Sequence, residues 1–403
     1  MKPPYKVPNM SDVAKAKGTN GFTMVSTFSG AGGSCLGFEM AGFDIKYANE
    51  FVPEAQHTYE ANHPDVILDT RDIRSVTGQD ILSQIKLKVG ELDLLEGSPP
   101  CASFSTAGNR EKDWGKVKGY SDTTQRADDL FFEYSRLVKE MQPKVFVAEN
   151  VSGLVRGKAL GYFKLILAEF KSHGYEVEAR LLDASWLGVP QARKRLIFIG
   201  VRNDIAADYG VKPTYPKPLA YRYTVRDVLP NVSRMKLGGK PDNWKKPDAP
   251  SPTIMASDAV TSPTAYFSSG GYIETTDGVF LDPETKAPIS LEKYAIGPEW
   301  DKLPPGVASH KYFTLVKSHL DEPAQTITAQ GGNVGAAAIT HPTQKRKFTL
   351  DELRLLSSFP KDFKLTGTFE QRWERVGRSV PPIMARAIGE TIRDEILNKI
   401  KEK

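Results

Sequence analysis

Two short apolar runs, each ending in a reactive side chain, constrain this chain more than any other feature. Leu92 to Leu95 reads as a buried strand that stops at Glu96-Gly97-Ser98-Pro99-Pro100-Cys101, a rigid double proline followed by a thiol. Roughly fifty residues on, Val145-Phe146-Val147-Ala148 reads as a second strand, ending at Glu149-Asn150-Val151. Between them lie a polar loop and a segment whose apolar positions 130, 131, 134, 137, 138 and 141 form one helical stripe. Two strands joined through such a helix make a parallel crossover unit. Open sheets of these units collect their reactive groups at the carboxyl ends of the strands. Cys101 and Glu149 are therefore expected to face one crevice.

The same alternation runs upstream. Phe22 to Phe28 is a strand candidate that enters Ser29-Gly30-Ala31-Gly32-Gly33-Ser34 and then a helical pattern through Leu36, Phe38 and Met40. Strand, glycine turn and helix let backbone approach a nucleotide-like ligand closely; a plain tight turn is the alternative. The strand Phe43 to Asn49 ends at Glu50, about twenty residues after Gly30, where such folds set an acid on ribose hydroxyls; a surface glutamate is the alternative. Val66-Ile67-Leu68 leads to Asp72 and Ile73. Asp72 could accept from an adenine amino group or cap the helix that follows. Beyond Glu149, Tyr162 to Phe170 is helical and Tyr175 to Leu182 is a strand. A turn holding Arg193, Lys194 and Arg195 then feeds the strand Leu196 to Gly200. Arg193 and Arg195 alternate on an extended run and so point the same way, which suggests a shared anion; a solvated basic face is the alternative.

These elements predict an α/β fold with a Rossmann-like sheet and a second, smaller, irregular β-containing domain. The expected division is a flexible arm over 1–20, a catalytic and cofactor-binding domain over 21–205, and a Pro-, Gly-, Ser- and Thr-rich domain over 206–345. A hinge over 346–375 and a C-terminal helix over 376–403, returning to the catalytic domain, complete it. Within the hinge, Thr349 and Glu352 make a capping box. Cys35 and Cys101 are the only cysteines, which excludes a disulfide framework, and scattered histidines without a CxxC pair leave no metal site. No apolar run approaches the roughly 18 residues of a membrane span, and the first residues lack the apolar centre of a signal peptide. A cytoplasmic protein without membrane contact is expected. The net charge of +5 is compatible with a polyanionic partner but selects none. The polar segment 104–126 exceeds an ordinary connection and reads as a lid or a disordered segment.

Taken in order, Phe28-Ser29-Gly30-Ala31-Gly32-Gly33, Pro100-Cys101, Glu149-Asn150-Val151, Gln191-x-Arg193-x-Arg195 and Gly377-x-Ser379-Val380-Pro381 resemble the motifs of the cytosine-C5 DNA methyltransferase family. The resemblance covers residues 22 to 392, interrupted by 211–345. It implies an enzyme that flips a cytosine out of duplex DNA and alkylates C5 from S-adenosyl-L-methionine (SAM). Cys101 would add to C6, Glu149 would assist at N3, Arg195 would hold O2, and Arg193 the cysteine loop or a phosphate. Phe28, Ser29, Gly30, Ala31, Gly32, Gly33, Glu50, Asp72, Ile73, Pro100, Leu130, Arg378, Ser379 and Val380 would line the cofactor site. Ser105, Arg110, Thr326 and Thr328 would meet DNA, and 211–345 would read sequence in the major groove. No metal is implied.

Cytosine C5 is a poor nucleophile, and addition of a thiolate across C6 turns the ring into an enamine reactive at C5. A free thiol is only a few per cent ionised at neutral pH, so its surroundings must help. Two positions depart from the family. Ala102 replaces a usual glutamine after the cysteine, which affects a loop contact. Arg378 stands where the closing motif has asparagine near the donated methyl. In one reading Arg378 swings out to a phosphate or pairs with a carboxylate such as Glu374. In the other it holds the extra carboxylate of carboxy-S-adenosyl-L-methionine, and the product is 5-carboxymethylcytosine. A tRNA cytosine-5 methyltransferase is a further alternative, against which the size of 211–345 argues. The partners expected are double-stranded DNA and a cognate restriction endonuclease. The enzyme is expected to act as a monomer in a bacterial or phage-infected cell.

Overall fold

A computed structural model describes residues 2–100, 118–120, 123–125, 129–155, 159–229, 273–274, 280–281, 291–292, 294–333 and 335–401. Cys101, Ser105, Arg110 and most of the expected lid lie outside the described residues, as does much of 211–345. The chain forms two compact units. One comprises Asn9–Leu187, Lys194–Pro218 and Ser379–Lys403; the other comprises Met1–Pro8, Gly188–Arg193 and Leu219–Arg378.

The first unit is built on a seven-stranded sheet. Its strands are β1 (Thr23–Thr27), β2 (Asp44–Asn49), β3 (Ile67–Asp69), β4 (Leu94–Gly97), β5 (Val145–Val151), β6 (Tyr175–Asp183) and β7 (Lys194–Arg202). They lie in the order β3-β2-β1-β4-β5-β7-β6. The first five run parallel, and β7 is antiparallel to both its neighbours. The chain order reverses between β1 and β4, the position at which doubly wound sheets bind ligands.

Helices cover both faces, which is why the central strands are continuous apolar runs rather than alternating ones. Leu95, Phe146, Ala148 and Phe198 face a core completed by α5 (Leu130–Met141) and α6 (Ala159–Ser172). Phe131, Phe146, Phe170 and Phe198 pack there edge-on or tilted, with centroids 4.3 to 6.3 Å apart. On the helix α2 (Gly33–Met40), Gly37 meets the Pro382 carbonyl and Ala385 of α12 (Pro382–Ile392) so closely that a Cβ would collide with both. The closing helix thus lies directly on the helix that follows the glycine turn.

Three features differ from expectation. Residues 10–16 are no loose arm: α1 (Met10–Ala16) is capped by the Asn9 side chain and buries Val13. The first unit continues to Pro218, past the expected boundary at 205. The expected hinge, 346–375, belongs wholly to the second unit, where α10 (Leu350–Leu356) and α11 (Phe369–Arg378) are packed elements. Buried apolar side chains decide this: Phe348, Leu353, Leu356, Phe359 and Trp373 are fully enclosed.

Candidate active site

The carboxyl ends of β1, β2 and β3 are stitched together by side chains. Glu50 accepts from the Gly30 and Val52 amides, each at 2.7 Å, so its carboxylate braces the glycine turn from the next strand. Asn49 donates to the Asp69 and Arg71 carbonyls, and its own carbonyl accepts from the Ser29 amide. Phe28 turns the chain with φ at +53°, a left-handed conformation unusual for a bulky residue. Gly30 follows at φ +56°, and a Cβ placed on it would meet nothing within 4 Å. Gly32, at φ +85°, is different: a Cβ there would strike the buried His63 ring. The turn is therefore closed on its inner side and open above Gly30, a cradle shaped for a ligand approached by backbone.

Asp72 caps the short turn Ile73–Ser75, accepting from the Arg74 amide at 3.0 Å and from its guanidinium. Arg74 also reaches Asp129 at 2.8 Å, beside the start of α5. Ile73 and Leu130 are buried in the core next to that junction.

The strands β4 and β5 are held in register by Tyr134 of α5. Its hydroxyl lies 3.0 Å from the Leu95 carbonyl and 2.8 Å from that of Val147. Gly97 admits the Tyr134 ring, since a Cβ there would sit 2.5 Å from it. The double proline is tied to the neighbouring strand by Asn150, which donates to the Pro99 carbonyl at 3.3 Å. Asn150 and Glu149 point to opposite faces of β5. Glu149 meets Arg195 of β7, with Nε 2.6 Å from Oε1 and both side chains almost enclosed. In the antiparallel register Glu149 lies opposite Ile197, so Arg195 reaches it diagonally.

Glu96 was not singled out as a site residue in the sequence, although a carboxylate at the end of a buried apolar strand is a visible signal. It is fully enclosed, accepts from the Ser26 hydroxyl at 2.7 Å, and lies 3.4 Å from that of Ser98. Burial pushes its carboxyl up to about 7; serine hydrogen bonds oppose this and the Glu149 charge adds to it. The same enclosure pushes the Cys35 thiol up to about 12.

Arg193 and Arg195 engage different partners in the structure. The chain leaves extended pairing at Arg193, between Gln191–Ala192 and β7. The Arg193 guanidinium is buried and donates to the Ile327 carbonyl at 3.2 Å and to that of Arg378 at 3.3 Å. Around it, in the second unit, Ala324–Gln325 pairs in parallel with Gln191–Ala192, and the Thr326 hydroxyl donates to the Ala192 carbonyl. Trp373 donates to the Thr328 carbonyl at 2.9 Å. Gly377 rests against the Thr328 and Ala329 backbone, where a Cβ would approach to 2.7 Å. Arg378 itself pairs with Glu374, one helical turn earlier, at 2.6 Å. Ser379 and Val380 belong to the first unit, at the entrance to α12.

Residues 22–394 match the model of the family described as C-5 cytosine-specific DNA methylase. The chain belongs to that family. As a cytosine-C5 DNA methylase it is similar to the type II methyltransferase M1.HphI of Haemophilus parahaemolyticus, 30% identical over 92% of this chain and 86% of that one. It is likewise 30% identical to the type II methyltransferase M.NgoPII of Neisseria gonorrhoeae, over 93% and 96% of the two chains. The fold of this methylase is also that of a protein assigned as a DNA modification methyltransferase and encoded in an E. coli prophage. That match has a TM-score of 0.64 at 22% identity and covers 94% and 99% of the two chains. The S. pombe Dnmt2 methyltransferase aligns with a TM-score of 0.54 at 15% identity, over 92% and 97%.

Proposed function

We propose that this methylase transfers a methyl group from SAM to C5 of a cytosine extruded from duplex DNA. The observation that carries the reading is the Glu149–Arg195 pair at the end of β5, on the strand whose Asn150 anchors the Pro99-Pro100 turn leading to Cys101. Cys101 is the nucleophile. Its thiolate bonds to C6, and the displaced electron pair moves toward N3, where the Glu149 carboxyl stabilises the developing charge through a hydrogen bond. Arg195 orients Glu149 and offers its remaining N–H groups to O2. The pair returns as C5 bonds to the methyl group; loss of the C5 proton to water then re-forms the C5–C6 double bond and expels the Cys101 thiolate, which restores the aromatic ring.

The open side of Gly30, the brace from Glu50 and the capped turn at Asp72 suit an adenosine-bearing cofactor at the carboxyl ends of β1 to β3. When bound, SAM supplies a methyl group on a sulfonium, which needs only alignment with C5. Phe28, Ser29, Ala31, Gly32, Gly33, Ile73, Pro100, Leu130, Ser379 and Val380 complete the set we assign to it. Arg378 is engaged with Glu374 in its own helix, and this favours transfer of methyl over carboxymethyl. Thr326 and Thr328 are assigned to the DNA-facing part of the second unit, with Ser105 and Arg110 from the loop after Cys101. By analogy with the type II relatives, a restriction endonuclease of the same sequence specificity is the expected partner. A monomer acting in a bacterial or phage-infected cell suits that role.

A covalent trap tests the mechanism. Incubation with SAM and duplex DNA containing 5-fluorocytosine should give a denaturation-resistant adduct that Cys101→Ser abolishes. No adduct with the native protein, or an undiminished one in Cys101→Ser, overturns the assignment. A tRNA transcript as competing polymer addresses the RNA reading. Mass analysis of DNA exposed to both SAM and carboxy-SAM distinguishes 5-methylcytosine from 5-carboxymethylcytosine.

A further inference from the structure

The chain order of the sheet reverses between β1 and β4, and there the two strands pair with Ser26 opposite Glu96 and Thr27 opposite Gly97. Glu96 is fully enclosed at that point, and the reaction proposed for this site does not use it. Burying a carboxyl group is costly unless its oxygens find partners. Those of Glu96 face two different turns. On one side is the glycine turn: Oε2 accepts from the Ser26 hydroxyl at 2.7 Å, which itself accepts from the Ser29 hydroxyl at 3.0 Å. The Ser34 hydroxyl, at the far end of that turn, also bonds to the carboxyl. On the other side, Oε1 lies 3.4 Å from the hydroxyl of Ser98, the residue before the double proline. The bond to Ser26 is short and the contact with Ser98 is long for a hydroxyl. The carboxyl is therefore held firmly by the glycine turn and loosely by the turn that leads to Cys101. Burial favours its protonated form, which donates from one oxygen and accepts at the other, as a glutamine side chain does.

Resting on the cofactor site assigned above, we propose that Glu96 is a positioning residue that ties the nucleophile's turn to the glycine turn, so that cofactor bound at one steadies the other. A ligand settled on the glycine turn fixes Ser26, Ser29 and Ser34, these fix the carboxyl, and the long contact with Ser98 tightens. Glu96 touches neither substrate nor cofactor in this role. It acts through the serines on either side of it.

The far end of the link is read by the rate at which iodoacetamide alkylates Cys101 in the full chain, with and without S-adenosyl-L-homocysteine, the cofactor less its methyl group. Cys35 is wholly buried and does not compete. Saturating ligand should slow alkylation of the native protein by about tenfold, since a firmer turn opens to the reagent less often. Ser98→Ala removes one half-buried hydroxyl and leaves the carboxyl enclosed. In it the slowing should shrink to within about twofold, while calorimetry finds the ligand bound within about threefold of native affinity. Glu96→Ala should lose the slowing too, and Glu96→Gln, which both donates and accepts, should retain it; thermal melts confirm that each variant is folded. An undiminished slowing in Ser98→Ala or in folded Glu96→Ala means direct shielding by the ligand and overturns the proposal. Loss of the slowing in Glu96→Gln, or its absence from a native protein that binds the ligand, overturns it as well. A native protein that binds no ligand overturns the cofactor reading itself, and the link with it.

Discussion

Arg195 holds Glu149 across two antiparallel strands, Nε to Oε1 at 2.6 Å, with only 13–14% of either side chain exposed. The pair lies beside the Pro99-Pro100 turn, which the next residue of β5 anchors. An enclosed ion pair of this kind does not by itself argue for stability, since desolvation offsets much of the attraction. Its value lies in presenting a carboxyl group in one orientation.

Glu149→Gln keeps the shape and removes the charge. We expect single-turnover methyl transfer to fall about 10²- to 10⁴-fold at saturating DNA and SAM, with DNA affinity little changed. Arg195→Ala should be comparably impaired, because it leaves Glu149 enclosed and unoriented. The two losses should not add in the double variant, which a double-mutant cycle reads directly.

Glu96 predicts the sign of a pH effect on stability. Its carboxyl is raised to about 7 in the folded chain, so the folded state binds its proton more tightly than the unfolded state. The stabilisation is full below the ordinary glutamate range and is lost as pH rises through about 7. Glu96→Gln removes this dependence. Its melting temperature should exceed that of wild type at pH 8, by an amount equivalent to about 3 kcal/mol at most. The difference should shrink as pH falls toward 5, and thermal melts across that range check it.

Gly377 tests whether packing or helix propensity governs α11. Glycine to alanine in a helix ordinarily stabilises by about 0.5–1 kcal/mol. Here the new Cβ would sit 2.7 Å from the Thr328 and Ala329 backbone, which has little room to yield. Gly377→Ala should therefore destabilise, by about 1–3 kcal/mol in denaturant titration.

Cys35 should be chemically silent. It is wholly buried, its thiol is pushed up to about 12, and the Tyr59 hydroxyl donates to it. In the Cys101→Ser variant, iodoacetamide should give no adduct by intact mass until the protein is unfolded.

The arginine of the buried Arg346–Glu352 pair donates from both terminal nitrogens, each at 2.8 Å. Arg346→Ala leaves Glu352 enclosed without its counter-charge and should cost about 3–5 kcal/mol. Co-replacement with Glu352→Ala should recover part of that loss in the same melts.

Much of the fold was legible because its signals are local. The strands ending at Asn49, Gly97 and Val151 follow from apolar runs, and the Thr349–Glu352 capping box forms as its spacing requires. The capping alternative for Asp72 is present in the structure for the same reason, since its partner is two residues away. Where partners are remote, local reasoning fails. Arg193 looked like a companion of Arg195 on one strand. Its carbonyl partners, Ile327 and Arg378, are 134 and 185 residues away, and no periodicity reports them.

The sequence by itself determined the kind of sheet, the glycine turn, the double proline before Cys101 and the carboxylate on the neighbouring strand. Each of these follows from residue type and spacing along a few consecutive residues. Tertiary structure alone decided which side chains meet. It set Arg195 on Glu149, gave Arg193 the Ile327 and Arg378 carbonyls, and enclosed Glu96 beneath the glycine turn. It also engaged Arg378 with Glu374. Those outcomes depend on burial and on partners brought together by folding, and neither quantity is written in any short stretch of the chain.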